Sequence, residues 1–152
     1  DRHGRASVER VLSGRGLADL YRFLSATARG EESPGFPDRF MAAEDPAALV
    51  SEAALERSCE RAELALGMFV DAYAAEAGNL ALRALPGEGL YLGGGIAPRV
   101  RTALAAPRFL DTFRDKAPMS ELMRRFPVHL ILDSRAALWG AAHLALEPGV
   151  KD

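Results

Sequence analysis

Ser7 stands before Val8, Val11 and Leu12, a spacing that predicts a short helix from about Ser7 to Ser13, capped by Ser7 and stopped at Gly14. After Gly16, the residues Leu17, Leu20, Tyr21 and Leu24 recur at i, i+3, i+4 and i+7, the pattern of an amphipathic helix. The breakers between Gly30 and Pro37 predict an exposed loop. Asp45-Pro46 then supplies an N-cap and a first-turn proline for a long helical segment. Its second part, about Arg61 to Leu82, carries few charges on any side and reads as the core helix.

Beyond the Pro86-Gly87-Glu88-Gly89 turn, Leu90-Tyr91-Leu92 predicts a short buried strand, and Pro98 lies where it would open another helix. Pro127-Val128-His129-Leu130-Ile131-Leu132 is a continuous branched apolar run, expected as a fully buried parallel strand. From Ser134 a small-residue helix follows, ending before Pro148, with Asp133 placed to cap it. Strand, helical crossover, strand, helix is the βαβ order of an α/β sheet, helix-rich here and with strands too few for a complete domain of that kind.

With 49% hydrophobic and 26% charged residues, the 152-residue chain has the balance of a folded protein with a core. Its net charge of -2 gives no field for nucleic acid or anionic lipid, so neither partner is expected. The single Cys59 has no internal disulfide partner and reads as a small buried thiol, consistent with a cytoplasmic protein. No run is apolar for long enough to span a bilayer as a helix. The start at Asp1, without an initiator Met and running into Arg2, His3 and Arg5, is expected of a truncated chain.

Leu92-Gly93-Gly94-Gly95-Ile96-Ala97-Pro98 is a strand that breaks into glycines before a helix. Without Cβ atoms the backbone can approach a ligand, and free helix N–H groups favour an anion, so a nucleotide fits. The same letters also describe a tight strand-to-helix turn without a ligand. His3, His129 and His143 are not at metal-ligand spacings, so no metal site is expected. Trp139 and Phe69 read as core residues rather than a stacking platform.

Two further stretches carry a resemblance. Ser7-Val8-Glu9-Arg10-Val11-Leu12-Ser13-Gly14-Arg15-Gly16-Leu17 resembles a signature of the bacterial glucokinase family, with Arg15 where the family pattern has proline. Gly78-Asn79-Leu80-Ala81-Leu82 with Tyr91 to Arg99 resembles that family's next block, and Asp133 to Ala142 its final helix. The similarity runs from about Arg5 to Leu146 and implies the C-terminal portion of an actin-like ATPase (ribonuclease H-like) fold, residues 1–152 forming the C-terminal part of a glucokinase domain without its N-terminal lobe.

The resemblance further implies that Glu9 hydrogen-bonds glucose hydroxyls and that Gly93, Gly94 and Gly95 line the adenosine of ATP. Glu9 on its own letters also fits a solvated first-turn carboxylate. The family's phosphate loops, its aspartate base toward the sugar 6-hydroxyl and its histidine-containing sugar segment all precede the equivalent of Asp1, so no catalytic residue is expected in this chain. The implied activity of the parent is phosphorylation of glucose by ATP with Mg2+, commonly by a homodimer, the chain alone being inactive. A sugar-sensing regulator of the same fold and a hexokinase of other specificity are the competing readings.

Overall fold

The computed structural model describes residues 7–146. Asp1, Arg2, His3 and Arg5, and Pro148 beyond the last helix, lie outside the described residues. The order is α1 (Val8–Val11), α2 (Gly14–Ala26), α3 (Phe36–Ala42), α4 (Pro46–Leu55), α5 (Glu60–Ala84), β1 (Leu90–Leu92), α6 (Arg101–Leu104), α7 (Pro107–Arg114), α8 (Ser120–Met123), β2 (Val128–Leu130) and α9 (Ala136–Leu146).

α5 is the axis of the core. Its buried face is small and apolar, with Ala62, Ala65, Ala74, Ala77, Gly78 and Ala81 allowing neighbours close, and Leu66, Phe69 and Val70 filling the gaps between them. α2, α4 and α7 pack around it, and Phe69, Phe109 and Phe113 are almost fully enclosed. Enclosing one such side chain stabilises the fold by about 1.5–3 kcal/mol.

Polar contacts fix the segment between α2 and α3 on the start of α5. Glu32 accepts from the Tyr21 hydroxyl at 2.7 Å and pairs with Arg61, whose guanidinium also donates to the carbonyls of Arg29 and Gly30 at 3.1 and 3.0 Å. The Cys59 thiol lies 3.5 Å from the same carboxylate, buried as its sequence context predicts. At the other end of the core, Lys116 reaches from beyond α7 to the Asn79 side-chain oxygen at 2.9 Å and the Ala75 carbonyl at 3.0 Å. Asn79 thereby joins α5 to the segment that follows α7.

β1 and β2 pair in parallel, Leu90 opposite Val128 and Leu92 opposite Leu130, with α6, α7 and α8 in the crossover between them. The expected βαβ order is therefore present, but several local expectations change. Gly14 opens α2 instead of closing α1, because Ser13 accepts a hydrogen bond from Gly16 N at 3.1 Å and is the working N-cap; Ser7 makes no side-chain cap. Phe36 and Pro37 lie in the first turn of α3, so the loop ends two residues sooner than its prolines suggest. The helix after the glycines begins at Arg101, leaving Pro98 in a turn.

The strands are not fully buried either. Tyr91 and His129 both face outward and stack on one another at 4.8 Å, because the two-stranded sheet is covered on one face only. Trp139 is the clearest correction. It is 60% exposed on α9 with the Arg135 guanidinium over its ring, whereas Phe69 is in the core as expected. α9 has no buried residue along its described length.

Candidate functional site

Three chain segments that are remote in sequence meet around a cavity of about 800 Å³. The first is the α1–α2 turn. Gly16 is required there by close approach, since a Cβ at this position would lie 2.2 Å from the Val11 carbonyl oxygen. That contact folds α2 back against α1 and brings Leu12, Ser13, Gly14 and Arg15 to the cavity wall.

The second segment is the start of α4. Asp45 caps it as predicted, one carboxylate oxygen accepting from Ala48 N at 3.1 Å. Its other oxygen accepts from the Arg99 guanidinium at 2.6 Å. The Arg99 bond first, and the Ala48 N–H second, hold the Asp45 carboxyl below its ordinary value. Arg99 belongs to the third segment, the turn after β1, so this ion pair bridges two walls of the cavity.

In that third segment Gly93, Gly94 and Gly95 all line the cavity, but they are not equivalent. Gly93 backs onto Ile131, where an added Cβ would sit 3.3 Å from the side chain. Gly94 has φ of +106°, a conformation side-chain-bearing residues rarely adopt, although the space around it is open. A strand entering such a turn beside an apolar wall of Leu12, Ala18, Pro46 and Ile96 leaves main-chain groups accessible next to a surface suited to a flat ring. Tyr73 and Ser51 complete the floor; burial raises the Tyr73 hydroxyl pKa, and Ser51 turns its hydroxyl to the Ala48 carbonyl.

The structure thus brings the glycine run and the Gly14-Arg15 turn together. Glu9 is not among the cavity's lining residues: it is exposed in the first turn of α1, with only Leu12 and Ser13 between that helix and α2. Asp45, Arg99, Arg22 and Tyr73 are cavity residues that sequence reasoning did not single out. Asp45 carried a visible signal, the Asp-Pro helix start, but that signal explains a cap and says nothing of what else the carboxylate meets. Asp133 does bond the chain ahead of α9, accepting from Arg135 N at 2.8 Å. Among the described residues no three His, Cys, Asp or Glu side chains come together as a metal site.

A glucokinase family model matches residues 1–148. The chain is 42% identical to the glucokinase of Nostoc sp. over 93% of its own length and 45% of that protein's, and 42% identical to the glucokinase of Synechocystis sp. over 95% and 43%. The solved structure of a glucokinase from an Antarctic psychrotroph superposes with a TM-score of 0.74 at 33% identity, covering 94% of this chain and 41% of that one. The fold is that of the α/β sugar kinases. The chain belongs to the glucokinase family, and it spans less than half the length of these curated relatives.

Proposed function

We propose that this chain forms the nucleotide-holding wall of an enzyme that phosphorylates glucose with ATP, yielding glucose 6-phosphate. The observation that carries the reading is the cavity at which the α1–α2 turn, the start of α4 and the glycine turn meet, in a chain of this family. Gly93, Gly94 and Gly95 would lie against the adenosine, main chain toward ligand. Glu9 would accept hydrogen bonds from glucose hydroxyls. Support for that role is its family signature and its place on α1, one short link from the cavity wall. A carboxylate with its lone pairs committed to hydroxyls penalises sugars that lack them.

In this reading Mg2+ accompanies the nucleotide phosphates rather than a carboxylate cluster of the described residues. The groups that position phosphates and take the proton of the sugar hydroxyl come from the remaining length of the family's proteins, so the chain alone binds nucleotide without turning it over. Cytoplasmic location and a homodimeric parent belong to the same proposal; no helix of the described residues is long and apolar enough to cross a membrane. Calorimetric titration of the chain with MgATP tests the nucleotide role. Saturable binding is expected, and its absence at millimolar ATP would remove the cavity from nucleotide recognition.

A further inference from the structure

Three guanidiniums line the cavity, those of Arg15, Arg22 and Arg99, against two carboxylates, Asp19 and Asp45. The carboxylates are already taken. Asp19 accepts from Arg22 at 2.7 Å and Asp45 from Arg99 at 2.6 Å, leaving Arg15 without an ion-pair partner among the described residues. The excess positive charge of the cavity therefore resides on Arg15.

Its placement is also locally unfavourable. Arg15 sits in the first turn of the 13-residue helix α2, where the helix dipole disfavours a cation, and no acidic residue occupies that turn to offset it. Asp19, four residues on, is spaced for an i, i+4 pair with Arg15 but is turned to Arg22 instead. An exposed charge that opposes its own helix, has no ion-pair partner among the described residues and lines a cavity is the kind of local conflict expected where a ligand completes the balance.

We infer that Arg15 reads the anionic tail of the nucleotide, so that the cavity prefers nucleoside phosphates over the nucleoside by a contact made through this guanidinium. The inference rests on the nucleotide reading of the cavity proposed above. It adds a residue that discriminates by charge to glycines that discriminate by shape.

The test compares ADP and adenosine by calorimetry on the full 152-residue chain, its Arg15→Gln variant and its Arg15→Lys variant. The expected result for Arg15→Gln is an ADP affinity about tenfold to a hundredfold weaker, the scale of one charge-assisted hydrogen bond, with adenosine changed by less than about twofold. Arg15→Lys should keep most of the ADP affinity, and added KCl should weaken ADP binding more in the unaltered chain than in Arg15→Gln. Thermal unfolding of Arg15→Gln should be unchanged or slightly higher, since a charge unfavourable to the helix is removed. Equal losses for ADP and adenosine, no loss for ADP, or a lowered melting temperature would each overturn the assignment while leaving the cavity's nucleotide role standing. An unaltered chain that binds neither ligand would overturn both.

Discussion

Glu9 and Gly94 report on different parts of the proposed site, and a substitution at each has a distinct signature. In an assembly competent to phosphorylate glucose, Glu9→Gln should lower kcat/KM for glucose roughly tenfold to a thousandfold, with the KM for ATP little changed, as for loss of a charge-assisted hydrogen bond to substrate. Steady-state kinetics that match the unaltered protein would take Glu9 out of the sugar site. Gly94→Val meets no side chain, but it forces a branched residue into φ of +106° and places a Cβ where the main chain would face adenosine. ATP should weaken much more than glucose, and equal weakening of both would identify a folding defect instead. Tyr21 tests the core rather than the site. Burial first, and the bond to Glu32 second, push its hydroxyl pKa far above the ordinary 10.0. Because the folded value is raised, the stabilisation is full below about pH 10 and declines as pH rises beyond it. Tyr21→Phe should therefore cost about 1 kcal/mol near neutrality, the worth of one hydrogen bond, with a gap to the unaltered chain that narrows in urea titrations above pH 10.

At the level of elements, the helices fall into two groups. α2, α4, α5 and α7 bury apolar faces against each other, and their hydrophobic spacing made α2 and α5 legible in advance. The Asp-Pro start located α4 as well, because Asp45 caps it through local contacts only. α3, α7 and α8 went unread, and α6 was expected with its start placed too early, for a physical reason. They are short, from four to eight residues, and a segment of that length completes too few turns for periodicity to show. α7 had one signal that could have revealed it, the first-turn Pro107 followed by Phe109 and Phe113 at helical spacing, both now in the core. α9 is the opposite case, since its type was evident and its surroundings were not. Its small-residue, nearly uncharged sequence is that of a helix enclosed on most sides, yet Leu138 is 69% exposed and Trp139 60%.

For the molecule as a whole, the exposed α9 and the uncovered face of the sheet have one expected remedy. Parallel sheets are ordinarily covered on both faces, and this one has two strands with Tyr91 and His129 outward. Relatives more than twice as long have additional chain with which to cover them. Mixing the chain with a separately expressed N-terminal portion of the Nostoc glucokinase, the part this chain does not match, should therefore restore formation of glucose 6-phosphate from glucose and MgATP. Trp139 provides a signal independent of turnover, its emission shifting to shorter wavelength as α9 loses contact with water. Turnover by the chain alone would refute the assignment of the catalytic groups to the remaining length. A mixture with neither turnover nor an emission shift would refute the docking.

Local chemistry was enough to determine the α/β order, the core helix, the Asp45 cap and the glycine turn, because each depends on propensities, caps and periodicities within a few residues. The family signature added Glu9 and the adenosine role of Gly93 to Gly95 as implications, and the structure places that glycine run in a cavity with the Gly14-Arg15 turn. Only the tertiary structure decided that Asp45 and Arg99, 54 residues apart, bridge that cavity, and that Asp19 and Asp45 are both engaged while Arg15 is not. Only it showed Trp139 outside the core. Sequence patterns state which residues prefer to be enclosed, but the chain decides which surfaces are near enough to enclose them, and α9 has no buried residue along its described length.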